Sequence, residues 1–286
     1  MEKSSFIKNN ELNIILPFRG EFGMKLIHHV PIVHSIKCEN KIVVCEIGEE
    51  SLYPTANEYI LCDRRNDELR RDTSKNDKKF LDHLINKFWK VYGRNLNVIT
   101  TTPSMSKSYF KPHSFSNILL NQEIDIVICP RKRKYGEEKN WHGWKRLSEI
   151  LIEKYNLNVF AIGAPDSSYA DLHPNCMCSW DYKNFLDVSI TAINSSKLVI
   201  STDSGLAHLS VWCGQPLLLI SYEDGKIAPG PVKDGQGRIV RNDYWKINMK
   251  HYMSENHLAS PINIIHNAWN DFNIVENSIV SFLKIN

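Results

Sequence analysis

A short polar run, residues 202–208 (TDSGLAH), has the residue types and the spacing to bind phosphate. A helix that begins near Ser204 directs unpaired backbone N–H groups and the positive end of its dipole outward. Gly205 has no side chain, so a ligand can approach the backbone closely. His208 lies four residues after Ser204 on the same helical face, where its imidazole can donate to a phosphate oxygen. The run therefore predicts an anion site whose turn is formed by Asp203, Ser204 and Gly205.

A second interpretation of the same residues requires no ligand. Asp203 or Ser204 would cap a helix, as short polar side chains commonly do at this position. His208 would be a buried core histidine whose hydrogen bonds are satisfied within the fold. The spacing is compatible with both interpretations, because each requires a helix that begins at the same residue.

The elements on either side of this run are predicted to be a strand, a short helix and a strand. The apolar residues Leu198–Ile200 suit a short buried strand, and an apolar pattern at helical spacing follows the polar run. Gly214 is placed as a C-cap, and Pro216 prevents further helix. A second apolar strand, Leu217–Ile220, follows at once. In such a βαβ unit the polar run lies at the carboxyl end of the first strand, where parallel sheets bind ligands.

The longer run 202–220, TDSGLAHLSVWCGQPLLLI, resembles the signature segment of the glycosyltransferase family 9 heptosyltransferases. In that family an Asp-Ser/Thr-Gly-Leu-x-His-Leu turn and helix precede a Gly-x-Pro and a strand. The resemblance implies an α/β chain of the GT-B fold, in which two Rossmann-like domains face each other across a cleft. It implies that the C-terminal domain holds most of the nucleotide-sugar donor. It also implies that His208 is catalytic, stabilising the leaving diphosphate, and that Asp203, Ser204 and Gly205 bind the donor.

Four consecutive basic residues, Arg131–Lys134, follow the predicted strand Ile124–Cys129. In family 9 the basic residues at this place lie beside the donor phosphates, whose charge lysine and arginine offset. The resemblance therefore implies Arg131 and Lys132 as donor-binding residues. Lys139-Asn140-Trp141 matches the Lys-x-Trp that often marks the next helix of the family. A solvated basic loop is the alternative interpretation of the four bases.

The following predicted strand, Asn158–Ile162, ends at Gly163, and Asp166 comes three residues later. This order of glycine and acid matches the place where family 9 receives the nucleoside. The resemblance therefore implies Gly163 and Asp166 as donor-binding residues, with the Asp166 carboxylate accepting from a ribose hydroxyl. The alternative is that Asp166 only forms a turn beside Pro165.

The loop after the first predicted strand departs from the family pattern. Many heptosyltransferases place an aspartate, the candidate base, directly after the loop glycine, whereas Met24 follows Gly23 in this chain. An inverting transferase needs a carboxylate or a histidine to accept the proton of the acceptor hydroxyl. Glu21 is the nearest acidic residue and is the predicted base, with His28 and His29 as alternatives. The competing interpretation is that Glu21 is a solvated loop residue.

The composition limits the kinds of partner that are expected. The chain has 286 residues, enough for two domains of ordinary size. Its formal net charge of +3 is too small to indicate nucleic-acid binding, so no nucleic-acid partner is expected. Residues 1–10 are polar, and no apolar run approaches the roughly 20 residues that span a bilayer. We therefore expect no integral membrane segment and a cytoplasmic location. Peripheral attachment to a membrane is compatible with both expectations.

The cysteines and acidic residues do not form a metal-binding pattern. Seven cysteines in predicted strands, helices and loops favour reduced, buried thiols. His173, Cys176 and Cys178 come nearest to a metal site, but a fourth ligand at zinc-like spacing is missing. The sequence has no convincing Asp-x-Asp motif of the kind that holds a metal-bridged donor. No metal and no cofactor are therefore expected.

The predicted elements divide the chain into three segments. Residues 1–115 are predicted to form a Rossmann-like domain on the acceptor side, and residues 116–260 a second Rossmann-like domain that binds the nucleotide sugar. Residues 261–286 carry a helical apolar pattern across Asn263–Leu283. The GT-B resemblance implies that this last helix crosses back onto the N-terminal domain.

The resemblance implies a metal-independent and inverting glycosyltransferase. The enzyme would move a sugar from a nucleotide-diphosphate sugar, its substrate, to a hydroxyl of a glycan, a lipid-linked molecule or another acceptor. A sugar-nucleotide 2-epimerase shares the GT-B fold and is the first alternative. A non-catalytic nucleotide-binding protein is the second, because the aspartate expected after Gly23 is missing. A nucleic-acid-modifying transferase is a more distant third.

Overall fold

A computed structural model of the chain contains two compact units, residues 1–113 (unit 1) and residues 114–286 (unit 2). The predicted boundary, between residues 115 and 116, lies two residues beyond this division. The structure describes residues 12–18, 22–62, 76–93, 96–101, 123–133, 137–223, 226, 229, 232–233, 239–240 and 262–285.

Unit 1 contains a parallel sheet of four short strands. They are β1 (Leu12–Ile15), β2 (Lys41–Glu46), β3 (Glu58–Cys62) and β4 (Leu96–Ile99). The strand order is β3-β2-β1-β4, and every neighbouring pair is parallel. The helix α3 (Asn76–Tyr92) leads into β4, and its Phe88 packs on the sheet. The buried apolar residues of this core are Ile14, Leu16, Ile42, Val44, Phe88 and Leu96.

The helical segment after β1 changes its hydrogen-bond pattern along its length. It consists of α1 (Phe22–Met24), a π-helical turn (Lys25–His29) and α2 (Val30–Ser35). Pro31 lies in the first turn of α2 and has no N–H for the carbonyl of Ile27, so an unbroken α-helical ladder is impossible here. All five residues of the π turn are buried. Turns of this kind occur frequently at functional sites.

Unit 2 contains a parallel sheet of six strands in the order β12-β9-β8-β5-β6-β7. The strands are β5 (Ile126–Cys129), β6 (Val159–Ala161), β7 (Met177–Cys178), β8 (Leu198–Ser201), β9 (Leu217–Ile220) and β12 (Ile262–Ile265). A two-stranded antiparallel ribbon, β10 (Val232–Lys233) and β11 (Ile239–Val240), is separate from this sheet.

Four helices lie in the described part of unit 2; the first three connect strands of its sheet, and the last follows β12. They are α4 (Trp144–Glu149) with a π turn (Ile150–Lys154), α5 (Phe185–Ser195), α6 (Gly205–Trp212) and α7 (Phe272–Leu283). Trp144 is completely buried against the sheet, in the same cluster as Ile128 and Ile200. The strands β5, β6 and β9 are apolar and buried at every position, which is typical of parallel strands that are covered on both faces. The predicted α/β fold with two Rossmann-like sheets is confirmed.

The strand order reverses once in each sheet. In unit 1 the chain runs outward from β1 to β3 and then returns to the other side of β1 as β4. In unit 2 it runs outward from β5 to β7 and returns beside β5 as β8. Parallel α/β sheets bind ligands at the carboxyl ends of the strands where the order reverses. We call these places the β1/β4 switch point and the β5/β8 switch point.

The helix predicted across Asn263–Leu283 is wrong in its first part. Residues Ile262–Ile265 form β12, which pairs in parallel with β9, and only Phe272–Leu283 is helical. The β-branched isoleucines suit a strand beside β9, and the Asp271 side chain caps α7 by accepting from the N–H of Asn273 at 3.0 Å. The helix packs within the core of unit 2. Its predicted crossing onto the N-terminal domain stays a prediction.

Candidate functional site

The polar run 202–208 lies at the β5/β8 switch point, directly after β8. Ser204 is the N-cap of α6, and its Oγ accepts from the N–H of Ala207 at 3.3 Å. The Ser201 hydroxyl lies 3.1 Å from the Ser204 hydroxyl, so two side chains support the turn. Capping satisfies one of the four N–H groups that a helix leaves unpaired at its N-terminus. The capping interpretation is therefore correct for Ser204, and it is compatible with an anion at the same helix end.

Asp203 is neutralised by a lysine that the sequence did not single out. The Nζ of Lys139 lies 2.5 Å from Oδ2 of Asp203, and the side chains are only 20% and 7% exposed. A bare carboxylate beside the N-terminus of α6 would repel a phosphate, and the Lys139 ammonium removes that repulsion. Lys139 is the first residue of the Lys-x-Trp tripeptide, so this motif could have indicated Lys139 as a site residue from the sequence.

Asn140, the neighbour of Lys139 in the sequence, holds Arg131 in the loop after β5. Its guanidinium donates to Oδ1 of Asn140 at 2.5 Å. The buried Asn140 amide also accepts from the N–H of Arg133 at 3.1 Å and donates to its carbonyl at 2.8 Å. Asn140 therefore fixes the loop that follows β5. Arg131 follows β5 and Asp203 follows the adjacent strand β8, so Arg131 and the Lys139–Asp203 pair lie after neighbouring strand ends of the sheet.

Lys132, the other predicted phosphate ligand, contacts the loop after β6 instead. Its backbone N–H donates to the Ser167 carbonyl at 2.9 Å. Its exposed side chain places Nζ 5.2 Å from the centre of the Tyr169 ring. The structure thus brings Lys139 to the turn before α6, whereas Arg131 bonds to Asn140 and pairs with Ser168, and Lys132 makes a cation–π contact with Tyr169.

Gly163 has a packing reason to be glycine. A Cβ on Gly163 would lie 2.0 Å from Oγ of Ser168, closer than any real contact. The N–H of Gly163 donates to the buried Ser179 hydroxyl at 3.0 Å, and that hydroxyl donates back to the Gly163 carbonyl at 3.1 Å. Asp166 is exposed in the turn closed by the bond from the Ser167 N–H to the Ala164 carbonyl. The roles of Gly163 and Asp166 toward a nucleoside stay predictions.

His208 and Thr202 are both buried beside the turn. His208 is 4% exposed, on α6, and Thr202 is completely buried. Among the described residues, Oγ1 of Thr202 has no hydrogen-bond partner. A buried hydroxyl left unpaired costs about 1–3 kcal/mol. The β5/β8 switch point therefore contains a polar group that the described part of the fold does not satisfy.

In unit 1 the predicted base, Glu21, lies outside the described residues. Of its alternatives, His29 is completely buried near the β1/β4 switch point, where its Nδ1 lies 2.6 Å from the Thr101 hydroxyl. Its ring stacks on Phe18 at 5.8 Å and meets the Tyr53 ring edge to face. Burial, with a smaller contribution from Lys25, lowers the pKa of His29 to about 3. A neutral imidazole with so low a pKa is a weak proton acceptor at neutral pH.

His28, the second alternative, is also buried in the π turn, with 8% exposure. The same turn carries Lys25, whose ammonium contacts two carboxylates that the sequence did not single out. Nζ of Lys25 lies 2.5 and 2.7 Å from the two carboxylate oxygens of Glu49 and 3.1 Å from Oε1 of Glu46. No local sequence pattern identifies this cluster, because Lys25 comes 21 and 24 positions before its two carboxylates.

Two further searches concern the described residues only. No group of three or more His, Cys, Asp or Glu side chains among them is arranged to hold a metal ion. His173, from the nearest sequence pattern, instead lies 3.2 Å from Oε1 of Glu153. Within the same residues, none of the helices is both long enough and apolar enough to cross a membrane.

No family model and no curated protein sequence matches the chain. Solved structures, by contrast, share its fold at low sequence identity. The E. coli heptosyltransferase WaaC with ADP-2-deoxy-2-fluoro heptose is 13% identical with a TM-score of 0.51, over 94% of this chain and 99% of that one. The same enzyme with ADP is 12% identical with a TM-score of 0.50, over 95% of this chain and all of that one.

A third structure, E. coli ADP-heptose lps heptosyltransferase II, is 13% identical with a TM-score of 0.50. That match covers 95% of this chain and 98% of the heptosyltransferase. The three matches extend through both units, beyond the single run 202–220 that carries the sequence resemblance. The chain therefore has the GT-B fold of the heptosyltransferases.

Proposed function

We propose that the chain is a glycosyltransferase related to family 9, which moves a sugar from a nucleotide-diphosphate sugar to an acceptor hydroxyl. The observation that carries this proposal is the β5/β8 switch point. There Lys139 pairs with Asp203 just before the N-terminus of α6, and Arg131 follows the adjacent strand β5, where Asn140 holds its guanidinium. This combination suits a group with several negative charges.

The heptosyltransferases of the same fold support the choice of ligand. One of those structures contains ADP and another a fluorinated ADP-heptose. A nucleoside diphosphate is the part of such donors that would match the basic residues and the helix N-terminus of unit 2. We propose a nucleotide-diphosphate sugar as the donor, and its base and sugar are to be identified by experiment.

Each residue of the site has a role in this proposal. The N-terminal turn of α6, with Ser204 and Gly205, would donate to the diphosphate, Arg131 and Lys132 would offset its charge, and Lys139 would keep Asp203 neutralised beside it. His208 would stabilise the charge that develops on the leaving diphosphate as the glycosidic bond breaks. Gly163 and Asp166 would lie on the nucleoside side, after β6. Because fixed cationic side chains and backbone dipoles supply the positive charge, we infer a metal-independent transfer.

We infer an inverting reaction, in which the acceptor oxygen attacks the anomeric carbon directly and a base on the protein takes its proton. No cofactor takes part, since the nucleotide sugar is a substrate. The acceptor is a hydroxyl of a glycan, of a lipid-linked molecule or of another small molecule. A cytoplasmic location suits such donors.

The test is a thermal-shift panel of ADP, UDP, GDP, CMP and their common sugars, with and without magnesium. A ligand at about a hundred times its dissociation constant adds roughly 2.7 kcal/mol to the stability of the folded state, a shift of several degrees. We expect one nucleotide class to stabilise the protein equally with and without magnesium. Lys139→Ala should remove the shift. Lys145→Ala is the matched control, since Lys145 is an exposed lysine of unit 2 paired with Asp171 at 3.1 Å.

Two results would contradict this proposal. The first is a wild-type protein that no member of the panel stabilises. The second is a shift that survives in Lys139→Ala and in Gly205→Trp alike, because the nucleotide would then bind away from the start of α6. A shift that requires magnesium would remove the metal-independent part of the proposal alone.

A further inference from the structure

Two cysteines of unit 2 lie against each other at the edge of its sheet, outside the proposed donor site. Cys178 belongs to β7, the last strand in the sheet order, and Cys176 directly precedes that strand. The Cys178 thiol donates to the Cys176 carbonyl at 3.4 Å, and the two thiols also share a hydrogen bond. Both cysteines pack against the apolar core of unit 2. The two sulfur atoms are therefore close together on the core side of an edge strand.

The spacing of the two cysteines suits a disulfide. Met177 separates them and is a strand residue, so the side chains on either side of it point to the same face. Two residues of extended chain span at most about 7 Å between Cα atoms, and disulfides usually join Cα atoms about 4.4–6.8 Å apart. Formation of the bond therefore requires rotation of two side chains and only a small adjustment of the backbone.

A second pair of cysteines, in unit 1, has a similar contact but the wrong geometry. The Cys62 thiol donates to the Cys45 carbonyl at 3.2 Å. In the register of β2 and β3, Cys45 lies opposite Leu61 and Cys62 lies opposite Glu46. Because consecutive strand residues point to opposite faces of a sheet, the side chains of Cys45 and Cys62 lie on different faces. A thiol close to the carbonyl of another cysteine is thus insufficient, and the shared face distinguishes Cys176 and Cys178.

The two thiols of unit 2 differ in their access to solvent. Cys176 is buried, with 8% exposure, whereas Cys178 is partly exposed. An oxidant dissolved in water therefore reaches Cys178 first. The hydrogen bond with Cys178, followed by burial, raises the pKa of Cys176. Oxidation of the Cys178 thiol removes the larger of these two causes, so Cys176 ionises more readily once Cys178 has reacted.

We propose that Cys176 and Cys178 form a reversible disulfide, a modification site that responds to hydrogen peroxide. The Cys178 thiolate attacks one peroxide oxygen, the O–O bond breaks, and Cys178 becomes a sulfenic acid as water leaves. The Cys176 thiolate then attacks Sγ of Cys178, and hydroxide leaves with the proton that Cys176 gave up, as a second water. Each sulfur loses one electron, and the two peroxide oxygens are reduced to water. This inference goes beyond the proposed glycosyltransferase function and does not depend on it.

The disulfide should be easily reduced. Since one residue separates the two cysteines, the closed ring is small and strained, and strained disulfides have more oxidising potentials. Glutathione therefore reverses the bond, as two glutathione molecules give up their thiol hydrogens and become glutathione disulfide. The bond would lie beside Ser179, whose hydroxyl holds both the N–H and the carbonyl of Gly163. Oxidation would thus occur one residue from the contact that fixes the end of β6.

The test is oxidation of the full chain with hydrogen peroxide, followed by alkylation of the remaining thiols under denaturing conditions. Mass spectrometry of the intact protein and of its peptides is the readout. In the wild type, two of the seven cysteines should resist alkylation, and the peptide with Cys176 and Cys178 should lose the mass of two hydrogen atoms. Treatment with glutathione should make both alkylatable again.

Three single variants locate the bond. Cys178→Ser, at the more exposed position, should show no protection and no loss of hydrogen. Cys176→Ser should accumulate a sulfenic acid on Cys178 that a dimedone probe traps. If Cys176→Ser does not fold, because that side chain is buried, Cys178→Ser carries the comparison alone. Cys38→Ser is the matched control, a partly exposed cysteine of unit 1, and should protect the same two thiols as the wild type.

Several outcomes contradict the inference. A wild type whose cysteines all stay alkylatable, or whose Cys178 gains oxygen without loss of the two hydrogens, has no such disulfide. A bond that maps to Cys45 and Cys62, or that joins two chains, would show that the shared face on β7 is not the deciding feature. A disulfide that survives glutathione would refute its reversibility. None of these readouts involves a nucleotide, so failure of the proposed transferase function would be detected separately, in the thermal-shift panel.

Discussion

The β1/β4 and β5/β8 switch points belong to sheets whose first four strands have the same order, yet the groups around them differ in charge. The β5/β8 switch point joins a helix N-terminus to Arg131 and Lys139, which suits an anion. Unit 1 instead has a buried neutral imidazole, His29, near its switch point, and two carboxylates, Glu46 and Glu49, bonded to Lys25 at the neighbouring end of β2. A shared topology thus decides where ligands bind, whereas the side chains at the strand ends decide which chemistry occurs there.

The largest expected effect comes from giving the β5/β8 switch point the opposite charge. Lys139→Glu places a second carboxylate beside Asp203, and like charges brought together in a partly buried site cost several kcal/mol, so nucleotide affinity should fall by about 10³-fold. Calorimetric titration with the stabilising nucleotide measures it. Lys145→Glu, the same change at an exposed lysine of unit 2, should leave the affinity intact. Unchanged nucleotide affinity in Lys139→Glu would contradict the proposal that positive charge at the β5/β8 switch point binds the nucleotide.

The substitution Gly163→Ala tests whether packing against Ser168 requires a glycine after β6. Gly163→Ala should lower the free energy of unfolding by about 3 kcal/mol, because its methyl group overlaps the Ser168 hydroxyl. Gly163→Ala combined with Ser168→Gly should recover most of this loss. Urea unfolding of the single and double variants measures both. If the double variant is as unstable as Gly163→Ala, Ser168 is not the group that excludes a side chain.

The buried histidine should make the stability of unit 1 depend on pH. The folded-state pKa of His29, about 3, lies below the ordinary value of 6.5, so the unfolded chain binds a proton that the folded unit does not. Its contribution is present above pH 6.5 and is lost as the pH falls toward 3, amounting to about 2 kcal/mol between pH 7 and pH 5. Hydrogen exchange of peptides from residues 22–35 at both pH values measures it.

The control for this pH dependence is a histidine outside unit 1. His29→Gln should flatten the pH dependence of exchange in residues 22–35. His142→Gln, at an exposed position of unit 2, should leave it unchanged. Equal pH dependence in the wild type and in His29→Gln would contradict the assignment to the buried imidazole.

The smallest effect is expected at two helix caps of unit 2. Ser204 caps α6 at the proposed donor site, and Asp271 caps α7. Ser204→Ala and Asp271→Ala should each destabilise unit 2 by about 1 kcal/mol, since each removes a side chain that accepts from a backbone N–H. Only Ser204→Ala should also weaken nucleotide binding. Thermal unfolding with and without nucleotide measures both quantities. Equal weakening by the two variants would indicate that the loss of binding follows from stability alone.

Local features of this chain were predictable from its sequence, and distant contacts were not. The helix cap at Ser204 and the strand Leu217–Ile220 follow from residue types within one turn or one strand, and both are confirmed. Lys139 is 64 positions before Asp203, so their ion pair depends on the order of the strands rather than on any local pattern.

The wrong helix start in unit 2 and the cluster of unit 1 that was not predicted have physical causes of the same kind. The isoleucines of Ile262–Ile265 fit a helical spacing, and it is the open edge of β9 that makes them a strand. Glu46 and Glu49 have the composition of an exposed turn, and only the buried ammonium of Lys25 explains why they lie in the interior. The fold could therefore be predicted further than the site, because the sheet follows from apolar runs and the site follows from pairs of residues that the sheet brings together.

Because of the π turn Lys25–His29, the position of the Lys25 side chain in unit 1 should depend on the exact number of residues in this segment. A π turn holds about one residue more than an α-helical turn, and each residue of a helix rotates the next by about 100°. Deletion of Leu26 would convert the turn to a regular one and would swing Lys25 away from its two carboxylates while His29 kept its place. A drop in melting temperature that Glu49→Gln relieves would show this.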